Sequence, residues 1–466
     1  MGAPLRLYST LTRRKEVFRP LEPRKARIYT CGPTVYRYAH VGNLRTYLFA
    51  DLLCRVLDYN GFEVRQVKNI TDVGHLTEDD FDRGEDRMLV SARLENRSPA
   101  EIADHYTRAY LEDEARLNIR PAAVLPRATQ HIPEMIELTS RLIEKGHAYE
   151  VEGTVYYHIP SFPEYGKLSG NTVDRLLAGV KGAVDPRKRH PGDFTLWKAA
   201  GEHRLQSWPS PWGQGFPGWH VECSAMSIKH LGERFDIHTG GEDNIFPHHE
   251  SEIAQSEGAL GHRVVGWWMH GHHLMLSGVR MAKSAGNFLR VTELEEAGQD
   301  PLAFRYLALQ ARYRTKLHFT PEGMAGADRA LRQLRRRVAQ WAPAPDGERG
   351  DFPERFLAAV NDDLDLPSAM SLVAELGRAR IPAGAKAALL LDWDRVLGLD
   401  LGRDLGKEEP ERPLPEGAAE LLQKRERARA ERDFEVSDRI RGELAGLGVE
   451  VTDTPGGQSV RVTRTG

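Results

Sequence analysis

The chain has 466 residues, 40% of them hydrophobic and 28% charged, with a formal net charge of −3. That length exceeds one ordinary core, so two to four domains are expected. A charge this close to neutral excludes a protein that holds nucleic acid by bulk electrostatics, and leaves any RNA contact to local patches. Three cysteines, Cys31, Cys54 and Cys223, are too few for a disulfide framework, and Met1-Gly2-Ala3-Pro4 lacks a signal pattern. No apolar run is long enough to span a bilayer, so a cytosolic protein without membrane contact is expected.

In chain order, Arg27-Ile28-Tyr29-Thr30-Cys31 reads as a short buried strand stopped by Gly32-Pro33. Leu44 to Tyr59 carries apolar residues at helical spacing, ended by Asn60-Gly61, and Phe62 to Ile70 reads as a second strand. Such a strand–loop–helix–strand unit opens a nucleotide-binding α/β fold, whose ligand lies at the carboxyl ends of the strands. From about Ala122 to Gln206 the character changes to helix and then to a β-rich stretch around Gly153–His158, which predicts an insertion between two halves of one sheet. The strand signal returns at Phe235-Asp236-Ile237-His238. Phe319 onward is helical, with Thr320 able to cap and Pro321 suited to the first helical position. Ala342–Pro353 and Gly402–Pro415 read as linkers, and the tail predicts helices over Ala418–Arg429 and Phe434–Leu447, then a hairpin turning at Thr454–Gly457.

Two short segments carry phosphate chemistry. His40-Val41-Gly42-Asn43 would open the first helix, where free N–H groups and the helix dipole favour a phosphate and Gly42 leaves room for a nucleotide. Far downstream, Arg280-Met281-Ala282-Lys283-Ser284 would bring a lysine to a triphosphate that gains charge in its transition state. Either segment alone reads as a surface loop. Together, in this order, they resemble the His-Ile-Gly-His and Lys-Met-Ser-Lys-Ser signatures of class I aminoacyl-tRNA synthetases. A third constellation is dispersed: Cys31, Cys223, and His248 with Glu252 in Pro247-His248-His249-Glu250-Ser251-Glu252. If Pro247 starts a helix, His248 and Glu252 share one face, and His249 and Glu250 point elsewhere. Two sulfurs, one nitrogen and one oxygen suit zinc. Two core cysteines beside a polar helix start would look the same, and His249 with Glu250 could be the ligands instead. Cys54, among Leu52, Leu53, Val56 and Leu57, reads as core packing.

Tyr29 through Tyr36, Asn69-Ile70-Thr71-Asp72, Asp193 through Lys198, Pro217 through Met226, Gly240-Gly241-Glu242-Asp243 and Phe246 through Glu252 resemble the cysteinyl-tRNA synthetase family. The likeness continues in Tyr313 through Leu317, Asp362 through Pro367, and Ala428 through Phe434 with Asp438. It implies a Rossmann-type class I synthetase catalytic domain, of α/β class, with an inserted connective domain, then an α-helical bundle and a small anticodon-binding domain. The implied limits are 1–121 and 207–272 for the two catalytic halves, 122–206 for the insertion, 273–318 for a stem-contact region, 319–403 for the bundle and 404–466 for the tail. By the same resemblance Cys31, Cys223, His248 and Glu252 bind one Zn2+. ATP, arriving with Mg2+, would meet His40, Gly42, Asn43, Gly241, Asp243, Arg280, Lys283 and Ser284, with His40, Asn43 and Lys283 catalytic. Thr71, Trp219 and Asp243 would line the L-cysteine and ribose side. The acceptor would be tRNA(Cys), and the enzyme a monomer. No editing segment stands out, in keeping with selection of the thiol by zinc, since a pocket of shape alone separates near-isosteres by only about a hundredfold.

Three departures from the family pattern bear on this expectation. Asn43 replaces the second histidine of the first signature, Arg280 and Ala282 alter the second, and Val73-Gly74-His75-Leu76 stands where the family has Ile-Asp-Asp-Lys. Arg329, Arg332, Arg335, Arg336 and Arg337 crowd one helical segment, which reads equally as a phosphate-binding surface and as a solvated helix face. Two other functions share most of these residues: transfer of activated cysteine to a small amine, and a paralogue that binds without catalysis. The tail from Ala418 to Val462 argues against the first, and intact Cys31, Cys223, His248, Glu252 and Lys283 against the second.

Overall fold

The computed structural model describes residues 3–73, 76–78, 83–171, 185–201, 204–218, 220–276, 279–280, 288–341, 347–407, 414–454 and 457–462. Two compact units divide the chain, Met1–Leu405 and Gly406–Gly466.

At the centre of the first unit lies a four-stranded parallel sheet built from β1 (Lys25–Thr30), β2 (Glu63–Lys68), β3 (Phe235–Gly241) and β4 (Val265–Gly271). Its spatial order is β4-β3-β1-β2. Helix α1 (Val41–Tyr59) joins β1 to β2, while β3 pairs on the other side of β1, so the topology switches between β1 and β3. Loops leaving those two strands diverge there and open a crevice at their carboxyl ends. Gly32 shows how tightly the chain turns at that point. Its N–H donates to Asn69 Oδ1 at 2.8 Å, and a Cβ on it would sit 1.7 Å from the Asn69 carbonyl oxygen.

α1 starts where the sequence predicts. His40 Nδ1 accepts from the Asn43 N–H at 3.1 Å and Asn43 Oδ1 accepts from the His40 N–H at 3.4 Å, a reciprocal cap. The inserted region is the helix Ile132–Glu144 and a five-stranded antiparallel sheet. That sheet runs on to Pro217, past the Gln206 limit expected from composition, because Gly213–Pro217 adds to Phe194–Ala199 and Trp208–Ser210 adds to Gly213–Pro217. Leu366–Arg378 and Ala383–Leu397 are helical, as is Pro321–Trp341, at whose start the Thr320 hydroxyl accepts from the Gly323 N–H at 3.0 Å. The Tyr313 and Asp362 segments meet at buried Asp363, which accepts from Tyr313 Oη at 2.7 Å, Arg314 Nε at 2.9 Å and the Tyr8 N–H at 2.9 Å.

Within the arginine-rich segment, the roles separate. Arg335 is buried, donating to the Leu399 carbonyl at 2.6 Å and to Asp300 at 2.5 Å, so it packs the bundle. Arg332 pairs with Asp328 at 2.8 Å, and Arg329, Arg336 and Arg337 are exposed. The second unit has its own small core of Ala418, Leu422, Ile440, Leu444, Val449 and Val451. Helices Ala418–Ala430 and Phe434–Gly446 pack with the hairpin Val449–Thr454 and Gly457–Val462, and buried Arg425 reaches Asp453 at 3.0 Å. No helix among the described residues is long and apolar enough to cross a membrane.

Candidate active site and metal centre

Cys31 directly follows β1, and its N–H donates to the Thr239 carbonyl of β3 at 3.1 Å, so the thiol stands at the switch point. Cys223 lies in the first turn of α2 (Val221–Leu231), Sγ to Sγ 3.8 Å from Cys31. Glu252 is on α3 (Glu250–Leu260), with Oε1 3.7 Å from Cys31 Sγ and 3.0 Å from His248 Nε2. All four are buried, and their donor atoms lie within 4.8 Å of one another. Tetrahedral zinc, with bonds of about 2.3 Å to sulfur and about 2.0 Å to nitrogen or oxygen, needs ligand–ligand edges of roughly 3.3–3.8 Å. The thiol–thiol and thiol–carboxylate separations meet that requirement. The four residues therefore fit a metal ion of the zinc type.

Regular helix does not begin at Pro247. Ile245–His249 are kinked, with Phe246 extended at φ −142° and ψ 135°, and α3 starts at Glu250. His248 still reaches Glu252, but the expectation that His249 points elsewhere is overturned: His249 Nε2 lies 3.2 Å from Cys31 Sγ. The extended backbone at Phe246 kinks the segment, so His248 and His249 enter α3 from a different direction than a continuous helix from Pro247 would give, and both side chains face the cluster. Glu250 does turn away, accepting from the Leu168 and Ser169 N–H groups at 3.3 and 2.8 Å. His238, His249, Cys31 and Glu252 make a second set of four donors within the same reach. That set has only one sulfur, and its histidines have other partners. His238 Nε2 holds the outer carboxylate oxygen of Glu252 at 2.9 Å and its ring stacks on Trp268. His249 Nδ1 meets His270 Nε2 at 2.7 Å, and His270 Nδ1 meets Thr10 Oγ1 at 2.8 Å. They suit outer supports, which would orient the ligands of a metal held there.

The charges of the cluster are arranged for a cation. Burial pushes the Cys31 thiol well up, while its hydrogen bond to Cys223 brings the Cys223 thiol down to about 6. Burial opposes charge on His248, yet Cys223 and Glu252 push it up to about 10. Burial would raise Glu252, but His238 and His248 hold it at about 2. Burial keeps His249 and His270 neutral, His270 at about 3. One thiolate, one carboxylate and one imidazolium thus share the site, and a divalent ion binding there would displace the protons of Cys31 and His248.

Thr71, buried beyond β2, takes a hydrogen bond from Asn69 Nδ2 at 2.9 Å and gives one to Glu222 Oε2 at 2.9 Å. In the capped start of α1, His40 Nδ1 is an acceptor, so the neutral ring carries its proton on Nε2, and Asn43 keeps its amide N–H2 as donor. Gly241 ends β3 close to Thr46 of α1, and its N–H donates to Asn244 Oδ1 at 2.8 Å. Asp243 is exposed, 3.4 Å from His273 Nε2. Arg280 belongs to a two-residue strand, Val279–Arg280, paired with Leu274–Leu276. Its side chain lies outside the described residues, as do Trp219, Lys283 and Ser284, and Gly74 and His75 of the altered segment.

The sequence motifs assign no role to His220, His238, His270 and Glu222. One signal was present: nine of the eighteen histidines fall between His220 and His273.

Comparison with known proteins follows the same geometry. Residues 17–329 match the family model of the class I (C) tRNA synthetase catalytic domain, and residues 411–461 match the cysteinyl-tRNA ligase anticodon binding domain. The chain is 45% identical over 480 residues to a cysteine–tRNA ligase of Thermus thermophilus, covering 98% of this chain and 99% of that one. It is 46% identical over 462 residues to cysteine–tRNA ligase 1 of Burkholderia lata, covering 98% and 96%. Among solved structures, Mycobacterium tuberculosis methionyl-tRNA synthetase bound by methionyl-adenylate superposes with a TM-score of 0.56 at 15% identity, over 83% of this chain and 95% of that one, a likeness of fold.

Proposed function

Since the chain belongs to the cysteinyl-tRNA synthetase family of class I ligases, we propose that it selects L-cysteine through a zinc ion and joins it to tRNA(Cys) by way of cysteinyl-adenylate. The observation that carries this reading is the meeting of Cys31, Cys223, His248 and Glu252 in one buried cluster at the strand switch point. When bound, zinc supplies a soft acceptor that takes a thiolate and refuses a serine hydroxyl.

The chain's own residues do the rest. The capped start of α1, with Gly42, His40 Nε2–H and the Asn43 amide, receives the phosphates of ATP, and Mg2+ accompanies the nucleotide. Gly241 and Asp243 border the ribose across the crevice from α1, while Thr71 and Trp219 line the amino acid. The cysteine carboxylate attacks the α-phosphate in line and pyrophosphate departs, with His40, Asn43, Arg280, Lys283 and Ser284 offsetting the charge that leaves with it. A terminal ribose hydroxyl of the tRNA then attacks the adenylate carbonyl and AMP leaves. No protein nucleophile is needed. Asn43 serves because a hydrogen-bond donor, rather than a charge, is what the position supplies.

The test is attachment of labelled cysteine to tRNA(Cys), run beside cysteine-dependent ATP–pyrophosphate exchange, on protein whose zinc content is measured. Charging and exchange together, with serine inert in both, are expected. Exchange without charging would direct the adenylate to another acceptor, and neither signal from zinc-loaded protein would refute the catalytic reading.

A further inference from the structure

Glu222 stands one residue before Cys223 in the first turn of α2 and is 2% exposed. Its Oε2 accepts the Thr71 hydroxyl at 2.9 Å, but its Oε1 is buried with no hydrogen-bond partner among the described residues. Leaving a carboxyl oxygen dry and unpaired is costly, and proteins seldom do it without a use for the atom. The surrounding bonds hold the group rather than satisfy it. Asn69 donates to the Thr71 hydroxyl at 2.9 Å, which obliges that hydroxyl to spend its only proton on Glu222. Thr71 is itself fastened to the loop after Cys31, its N–H donating to the Pro33 carbonyl at 3.0 Å. His220, at φ +78° a conformation unfavourable for a residue with a Cβ, sets the entry to α2, so local strain accompanies the placement of Glu222 and Cys223.

An amino acid held by its thiolate presents two further charged groups. Its carboxylate must stay available for ATP, so its ammonium needs an anion close to the metal cluster. Among the described residues, the carboxylate with an unpartnered oxygen there is Glu222. We propose that Glu222 binds the α-ammonium group of the amino acid, an assignment that rests on the cluster being the thiol-binding zinc site. Through this contact the pocket distinguishes α-amino thiols from thiols without an amine, and turns the substrate carboxylate outward, away from the acidic side chain. The role is that of a specificity residue beside the metal, separate from the ligand set.

Two fragments of cysteine separate the possibilities. Cysteamine keeps thiol and ammonium but lacks the carboxylate, and 3-mercaptopropionate keeps thiol and carboxylate but lacks the ammonium. Their binding to the zinc-loaded full chain, measured by calorimetry, is compared between wild type and Glu222→Gln, with zinc content determined for each. The expected result is about 10- to 100-fold weaker cysteamine binding in the variant, the worth of one charged hydrogen bond, with 3-mercaptopropionate unchanged and zinc retained. Equal weakening of both fragments, or of neither, would overturn the proposal. If wild type bound both fragments equally well after zinc removal, the thiol-on-zinc reading would fall, and the proposal with it. Should Glu222→Gln lose zinc, Glu222→Asp carries the test: it keeps the charge, and the same selective loss for cysteamine, smaller in size, is expected, while equal loss of both fragments overturns the assignment.

Discussion

Asp51→Asn removes one buried charge and leaves two guanidiniums without theirs. Asp51 on α1 lies 2.8 Å from Arg55 Nε and 2.7 Å from Arg305 Nη2, and accepts from the Arg120 N–H at 3.0 Å, with all three ionic side chains buried. The Arg305 contact is an ion pair rather than a well-aligned hydrogen bond. From this hub Arg305 donates to the Leu397 carbonyl at 2.5 Å and Arg55 to the Arg395 carbonyl at 3.2 Å, so the end of the bundle helix Ala383–Leu397 is tied to α1. Breaking one partner of a buried ion pair costs about 3–5 kcal/mol, which corresponds to a factor between about a hundred and a few thousand in an opening equilibrium. Amide exchange read by mass spectrometry over Ala383–Leu397 should accelerate by that factor in Asp51→Asn. Adding Arg305→Met should restore part of the protection, because a neutral pair replaces an orphaned cation. Wild-type protection in Asp51→Asn would refute the argument that this carboxylate fastens the bundle. The pH dependence has a definite sign. Burial would raise the Asp51 carboxyl, but Arg305 and Arg55 hold it below its ordinary value. Its contribution is therefore present above the unfolded-state value and is lost as pH falls through the folded one.

Cys223→Ser replaces a soft ligand by a hydroxyl, and the purified variant should contain well under one zinc per chain by metal analysis; full occupancy would remove Cys223 from the ligand set. Gly32→Ala would drive a methyl to 1.7 Å from the Asn69 carbonyl, and the turn beside Cys31 must shift by more than an ångström. A misplacement of that size should lower cysteine-dependent exchange by about a hundredfold, and an unchanged rate would show that the turn yields without disturbing the site. Arg336→Glu with Arg337→Glu, on the exposed face, should weaken tRNA charging most at low salt, where phosphate contacts count for most, and leave pyrophosphate exchange intact. Wild-type charging by that double variant across the salt series would make the face merely solvated. Arg335→Ala should instead lower the unfolding midpoint, because its bonds to Leu399 and Asp300 are internal.

Much of this molecule could be read locally. β1, α1 and β2 announce themselves through apolar spacing and the turn residues between them, and the His40–Asn43 cap is a contact between neighbours three residues apart. The tail helices and hairpin, from Ala418 to Val462, were likewise visible as periodicity and punctuation. The family, and with it the pairing of Cys31 and Cys223 with His248 and Glu252, came through motifs kept in order along the chain.

What the sequence left open depends on contacts across long separations. Nothing near Arg335 distinguishes it from Arg336; only the approach of Leu399 and Asp300 buries one and leaves the other in water. The strands after Gln206 form because Phe194–Ala199 offers Gly213–Pro217 a ladder, on which Trp208–Ser210 then pairs, and these short, Gly- and Pro-containing stretches carry little strand signal of their own. A regular helix from Pro247 would turn His249 outward, and the kink at extended Phe246 brings it to Cys31 instead. Periodicity and caps record what a residue does with neighbours a few positions away, so the sequence by itself determined the elements and the family. Burial, hydrogen-bond partners and charge state are set by atoms brought together from distant segments, so the tertiary structure alone decided that Glu222 would have an oxygen unpaired among the described residues, beside the cluster of Cys31, Cys223, His248 and Glu252.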